Sequence, residues 1–112
     1  MAKFVPQTGD VIWLDFDPQA GHEHGKRRPA VVLSPASYNK STSLMICCPI
    51  TSKIKGYPFE VAINGKISGV ILADQVKSLD WVARNAELAD HADDDVIDEV
   101  LAMVAALLNI QS

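Results

Sequence analysis

Residues 21–35 read GHEHGKRRPAVVLSP. A polar, glycine-punctuated loop ends in three cations, Lys26, Arg27 and Arg28. It then gives way to Pro29–Leu33, PAVVL, a run with no polar side chain. Pro29 fixes its own backbone angle and biases Arg28 toward extended geometry. A short apolar run bounded by turn residues reads as a buried strand. Upstream, Val11–Phe16 (VIWLDF) reads as another strand, between Gly9-Asp10 and Asp17-Pro18. Downstream, Ser34–Ser43 is turn-rich with room for one helical turn. Leu44–Ile50 (LMICCPI) is a third apolar strand, and Pro49 places it near an edge or bulge. Phe59–Ile63 and Lys66–Leu72 flank Asn64-Gly65, a hairpin signal. Ala73–Lys77 and Leu79–Arg84 continue in short strand-like pieces.

From Asp94 the period changes. Val96, Ile97, Val100, Leu101, Val104, Leu107 and Leu108 fall at helical spacing on one broad face. Asp93, Asp94 and Asp95 stand where an N-cap and first turn favour negative charge. Many short strands and one terminal helix predict a mainly β fold with α: a small, strongly bent antiparallel sheet or barrel closed by a C-terminal α-helix. At 112 residues, 1–112 is expected to form a single domain with one core.

No stretch approaches the roughly 20 apolar residues of a membrane span, and MAKFVPQTGD lacks the apolar core of a signal peptide. Cys47 and Cys48 are adjacent and are the only cysteines. In a strand they point to opposite faces, so no disulfide and a cytoplasmic setting are expected. The net charge of −4 hides an asymmetry. Residues 1–85 hold all ten cations and seven acids, a net +3; residues 86–112 hold seven acids and no Lys or Arg, a net −7. An acidic chain with a basic body remains open to a polyanionic ligand.

Three places carry candidate chemistry. The first is the strand mouth. Arg28 beside Pro29 offers a planar, permanently charged fork suited to phosphate, and Lys26 and Arg27 add charge; the same run also fits a solvated patch. Glu23, His22 and His24 suit proton transfer or orientation. Cys47, Cys48 or His91 could extend His22 and His24 toward a metal, but the spacing matches no structural zinc pattern. No metal and no cofactor are expected. The second is Thr51-Ser52-Lys53 with Lys55, hydroxyls and cations at a strand end, which also suit an ordinary turn. The third is Asp74-Gln75 with Lys77, able to read a base edge and touch a backbone. Trp13, Tyr57, Phe59 and Trp81 could stack on bases, with Trp13 and Phe59 expected to be mainly structural.

Six blocks then stand in a familiar order: Gly9-Asp10 with VIWLDFDP, the Gly-rich loop, RPAVVLSP with Tyr38-Asn39, Pro49-Ile50-Thr51, KGYPFEV at 55–61 and ADQVKS at 73–78. This series, over roughly residues 4–84, resembles the MazF/PemK (Kid) family of toxin endoribonucleases, and its MazF-like branch most. The resemblance implies an SH3-like barrel of antiparallel strands with a C-terminal helix, a homodimer whose groove takes single-stranded RNA, and metal-independent mRNA cleavage. It also implies a cognate antitoxin whose acidic, flexible segment covers the site. The family's arginine before the strand proline falls on Arg28, its strand-end threonine on Thr51, and the loop glutamate of MazF-like members on Glu23. These three are the expected catalytic residues. Lys26, Arg27, Ser52, Lys53, Lys55, Tyr57, Asp74, Gln75 and Lys77 are the expected substrate contacts. Leu72 stands where Kid-like members place an arginine before the Asp-Gln pair, so a mechanism resting on that arginine does not transfer. A same-fold toxin that binds a protein target such as DNA gyrase is the alternative; its function would live in the C-terminal helix.

Overall fold

A computed structural model describes residues 4–15 and 27–110. Among the described residues seven strands and two helices follow in order: β1 (Asp10–Asp15), β2 (Arg27–Val32), α1 (Ala36–Thr42), β3 (Leu44–Thr51), β4 (Glu60–Ile63), β5 (Gly69–Leu72), β6 (Lys77–Asp80), β7 (Glu87–His91) and α2 (Asp94–Leu107). All pairings are antiparallel, in the order β4-β5-β3-β2-β1-β7, with β6 also on β3. The sheet curls into a half-barrel, and α2 packs on one face, as the period change at Asp94 predicts.

The apolar runs are apolar because both faces of the sheet are covered. Alternate residues enter two cores. Val11, Val31, Cys48 and Ile50 join Val61, Ile71, Ile97 and Val100 under α2. Ile12, Leu14, Ala30, Val32, Met45 and Cys47 form the second core, against Phe4, Leu79 and Trp81. Cys47 and Cys48 therefore do point to opposite faces, free and fully buried. Burial pushes each thiol up to about 12.

Pro49 lies in a central strand, not at an edge. β3 pairs with β2 along one side, as far as Ala30–Pro49. Along the other it pairs with β6 through Cys47 and with β5 from Ile50. Pro49, which has no N–H to donate, sits where that partner changes. The Asn64-Gly65 hairpin forms, but its loop runs from 64 to 68 because it reaches across to β7. There the Lys66 N–H donates to Asp90 Oδ2 at 3.0 Å, and a Cβ on Gly65 would lie 2.7 Å from that oxygen. The backbone N–H of Lys66 holds the Asp90 carboxyl below its ordinary range.

α1 is longer than the single turn expected. It is pinned by Asn39, which is fully buried. The Asn39 amide donates to the carbonyls of Pro6 (2.8 Å) and Ser34 (3.0 Å), while the Ser34 hydroxyl donates to Asn39 Oδ1 (2.6 Å). The Trp81 indole N–H donates to the Asn39 carbonyl at 2.9 Å. β7 was not expected: none of its side chains is buried, and only its pairing with β1 makes it a strand. On α2, Ile97 and Val100 are buried, but Leu101 and Leu107 are exposed, as is Leu108 just past its end, so the apolar face is wider than the part the sheet covers.

Arg27 ties the strand mouth. Its guanidinium donates to Asp15 Oδ1 (2.8 Å), Glu87 Oε1 (2.9 Å) and the Asn85 carbonyl (2.8 Å), joining β1, β2 and the approach to β7. The Asn85 amide completes Asp15 at 3.0 Å. The Asn85 hydrogen bond and the Arg27 guanidinium hold the Asp15 carboxyl below its ordinary value.

Two outcomes follow. Leu14→Ala, at a fully buried site, should cost about 2–5 kcal/mol in urea unfolding. Asp15 stabilises the fold only while ionised. Its contribution is present above the ordinary carboxyl pKa of about 3.9 and is lost as pH falls through the lower folded value. The stability gap between wild type and Asp15→Asn should therefore be full near neutrality and close below that range; a gap that widens on acidification contradicts the assignment.

Candidate functional site

The site forms where β2 begins and β3 ends. β1 holds this end of β2 in register, with Leu14 opposite Arg28 and Trp13 opposite Pro29. The β2–β3 ladder stops at Ala30–Pro49; continued by two residues, its register sets Arg28 opposite Thr51. Both residues line one open pocket of about 420 Å³ with Trp13, Pro29, Ser52 and Lys53. Ile67 and Ser68, from the loop tethered to Asp90, close its far side.

Alternation along β2 separates the two arginines. Arg27 is taken up by Asp15 and Glu87. Arg28 is exposed and forms no hydrogen bond or ion pair with any described residue, so its fork is available to a ligand. Thr51 Oγ1 accepts a hydrogen bond from the Lys53 N–H at 3.1 Å, which leaves its own O–H to donate outward. Gly69 fixes the Thr51 backbone from behind: a Cβ there would overlap the Thr51 carbonyl oxygen.

Thr51 is also shared by two neighbouring hollows. One, of about 370 Å³, runs past Arg28 to Gln75 and Lys77. The other, of about 300 Å³, is walled by Lys53, Lys55, Tyr57, Phe59, Asp74 and Gln75. Together they make a branched trough. Arg28, Lys53, Lys55 and Lys77 outnumber its acids, Glu60 and Asp74. Tyr57 stacks on Phe59 at 5.2 Å between ring centroids.

Of the residues singled out from the sequence, Arg28, Thr51, Ser52, Lys53, Lys55, Tyr57, Asp74, Gln75 and Lys77 are brought together here. Arg27 is not among the lining residues. Glu23, Lys26, His22 and His24 lie outside the described residues. The two tryptophans exchange expected roles. Trp13 is 37 % exposed on the trough wall, whereas Trp81 packs edge-on against Phe4 and anchors Asn39. Glu60 was missed; its β-strand position gives no sign that its carboxylate turns back into the preceding loop.

Comparisons with known proteins identify relatives of the chain. A family model described as PemK-like, MazF-like toxin of type II toxin-antitoxin system matches residues 7–108. The endoribonuclease toxin MazF of Escherichia coli K12 is 47 % identical over 98 % of this chain and 96 % of its own. The endoribonuclease PemK of Escherichia coli is 29 % identical over 91 % of this chain and 81 % of its own. A crystal structure of MazE–MazF from Deinococcus radiodurans superposes with a TM-score of 0.88 at 47 % identity, covering 97 % of this chain and all of the matched one. With that match running almost from end to end, the chain belongs to the PemK-like, MazF-like toxins of type II toxin-antitoxin systems.

Proposed function

We propose that the trough binds single-stranded mRNA and that Arg28 and Thr51 hold the phosphate that is cut. The chain is an endoribonuclease of its family, and this reading assigns the chemistry to named groups. The ribose 2′-hydroxyl attacks the adjacent phosphorus: the O2′–P bond forms, the P–O5′ bond breaks, the 2′ proton is removed and the 5′ oxygen gains one. The products are a 2′,3′-cyclic phosphate and a 5′-hydroxyl, and DNA, lacking the nucleophile, is not cut. Negative charge gathers on the non-bridging oxygens in the transition state. Arg28 meets that charge with fixed positive charge, and the Thr51 O–H orients the phosphate. Glu23 is the carboxylate assigned to proton transfer; an arginine, at its ordinary pKa, is a poor base. The positive charge needed comes from side chains, so cleavage proceeds without a metal.

The observation that carries the reading is the division of labour between neighbouring arginines: Arg27 is spent on the frame, while Arg28 has no partner among the described residues and shares a pocket with the Thr51 hydroxyl. A toxin acting on a protein target would need no such pair. Lys53, Lys55 and Lys77 contact flanking phosphates, Tyr57 and Trp13 stack on bases, and Asp74, Gln75 and Ser52 supply polar contacts to base edges and backbone. The protein acts as a homodimer in the cytoplasm; no described helix is long and apolar enough to cross a membrane. A cognate antitoxin silences it by laying an acidic, flexible segment along the same cationic trough. The apolar Leu107, Leu108 and Ile110, each more than half exposed, offer surface for a second copy to cover.

The test is cleavage of a long single-stranded RNA in EDTA. Wild type should give discrete cuts ending in cyclic phosphate, and Arg28→Ala should lose at least about 100-fold in rate. Equal cutting by both proteins would remove Arg28 from the mechanism, and no cutting by folded wild type would remove the nuclease reading. Arg28, Lys53, Lys55 and Lys77, the cations that line the trough among the described residues, should give a log–log slope of affinity against salt of about −3; affinity that stays flat as salt rises counts against the trough.

A further inference from the structure

We propose that Glu60 is a positioning residue for substrate choice: its carboxylate holds the loop between β3 and β4 in the one conformation that presents Lys55 and Tyr57 to the RNA. The inference rests on the reading of the trough as the RNA site. Residues 52–58 are all exposed, so no burial of apolar surface fixes their path. What fixes it is polar. Glu60 opens β4, paired with Leu72 of β5, and both its carboxylate oxygens turn back into the loop. Oε2 accepts from the Lys55 N–H at 3.1 Å and Oε1 from the Gly56 N–H at 3.0 Å. In the other direction the Glu60 N–H donates to the Tyr57 carbonyl at 3.1 Å. Successive backbone N–H groups closing on one anion form a compact, self-contained loop.

The backbone is shaped for this grip. Gly56 has φ +83°, a region that side chains resist, while a Cβ there would meet nothing within 4 Å. The glycine serves the backbone angle and not the space. Just past this bend Tyr57 stacks on Phe59, at 5.2 Å and 27°. Lys55, Tyr57 and Phe59 then form one wall of the 300 Å³ hollow that faces Asp74 and Gln75.

Electrostatics makes the proposal sharp, because a strut and a mere surface charge predict opposite signs. An anion on the rim of a polyanion site repels the ligand, so removing its charge should tighten RNA binding. Removing a strut should weaken it and blur the choice of sequence. Two variants separate the effects. Glu60→Gln removes the charge and one of the two acceptor oxygens, and Gly56→Ala strains the same loop without changing charge.

The experiment measures KM and kcat on a short single-stranded RNA holding one cut site, and sequences all 5′-hydroxyl ends made from a long mixed-sequence RNA. Both variants should raise KM at least about fivefold, keep kcat within about threefold, and cut additional sequences at unchanged Tm. A lowered KM in Glu60→Gln, or a KM and cut-site set like those of wild type, overturns the proposal. Amide exchange on the same proteins should show Lys55 and Gly56 exchanging at least about tenfold faster in Glu60→Gln. Unchanged exchange overturns the strut, and faster exchange with unchanged cut sites overturns its part in selection. A folded wild type that cuts no RNA defeats the parent reading, a failure visible before any variant is compared.

Discussion

The architecture depends on one strand that changes partners. β3 keeps β2 along one edge and takes β6 and then β5 along the other. A single flat sheet cannot satisfy that arrangement. The two parts must diverge, so the sheet curls and the far end of β3 emerges at the fork. Pro49 suits the junction, since a residue without an N–H leaves nothing unsatisfied where the ladder is interrupted. Thr51 lies just beyond, with Arg28 opposite on β2, Gln75 past the end of β5 and Ser52–Phe59 leading away. The trough is thus the geometric by-product of the sheet's division.

Period-two alternation does the rest. Along β2, Arg27 and Arg28 are chemically alike and adjacent, yet a strand must send them to opposite sides. One finds Asp15 and Glu87 and becomes part of the frame. The other finds no described partner and keeps its charge for a ligand. The same rule sends Cys47 and Cys48 into separate cores.

These rules also explain what could be read in advance. The apolar runs at 11–14, 29–33 and 44–50 and the helical face from Val96 are strong periodic signals, and each became the element expected. Arg28 and Thr51 were candidates by their chemistry at strand ends, and the family resemblance is what singled them out. Other features depend on distant partners and leave no local trace. β7 buries no side chain and is a strand only by pairing with β1. The longer hairpin loop answers to Asp90, more than twenty residues away. Arg27 looked like a ligand contact because its counter-charges lie on two other strands. Trp13 and Trp81 are equally apolar in sequence, and only distant partners, Phe4 and Asn39, decide that Trp81 packs into the fold. Glu60 was read as an ordinary strand residue because a carboxylate folded back on its own loop has no compositional signature.

Burial gives the two cysteines a use beyond packing. Thiol reagents and oxidants attack the thiolate, and burial pushes both thiols up to about 12, so that neither is appreciably ionised at neutral pH. Both sulfurs are also sealed from solvent on opposite faces of β3, the strand at the sheet's centre. Neither can be modified until that strand is exposed. The folded protein carries its own pair of internal reporters, one in each core: the time at which each sulfur becomes reactive clocks the opening of its half of the molecule.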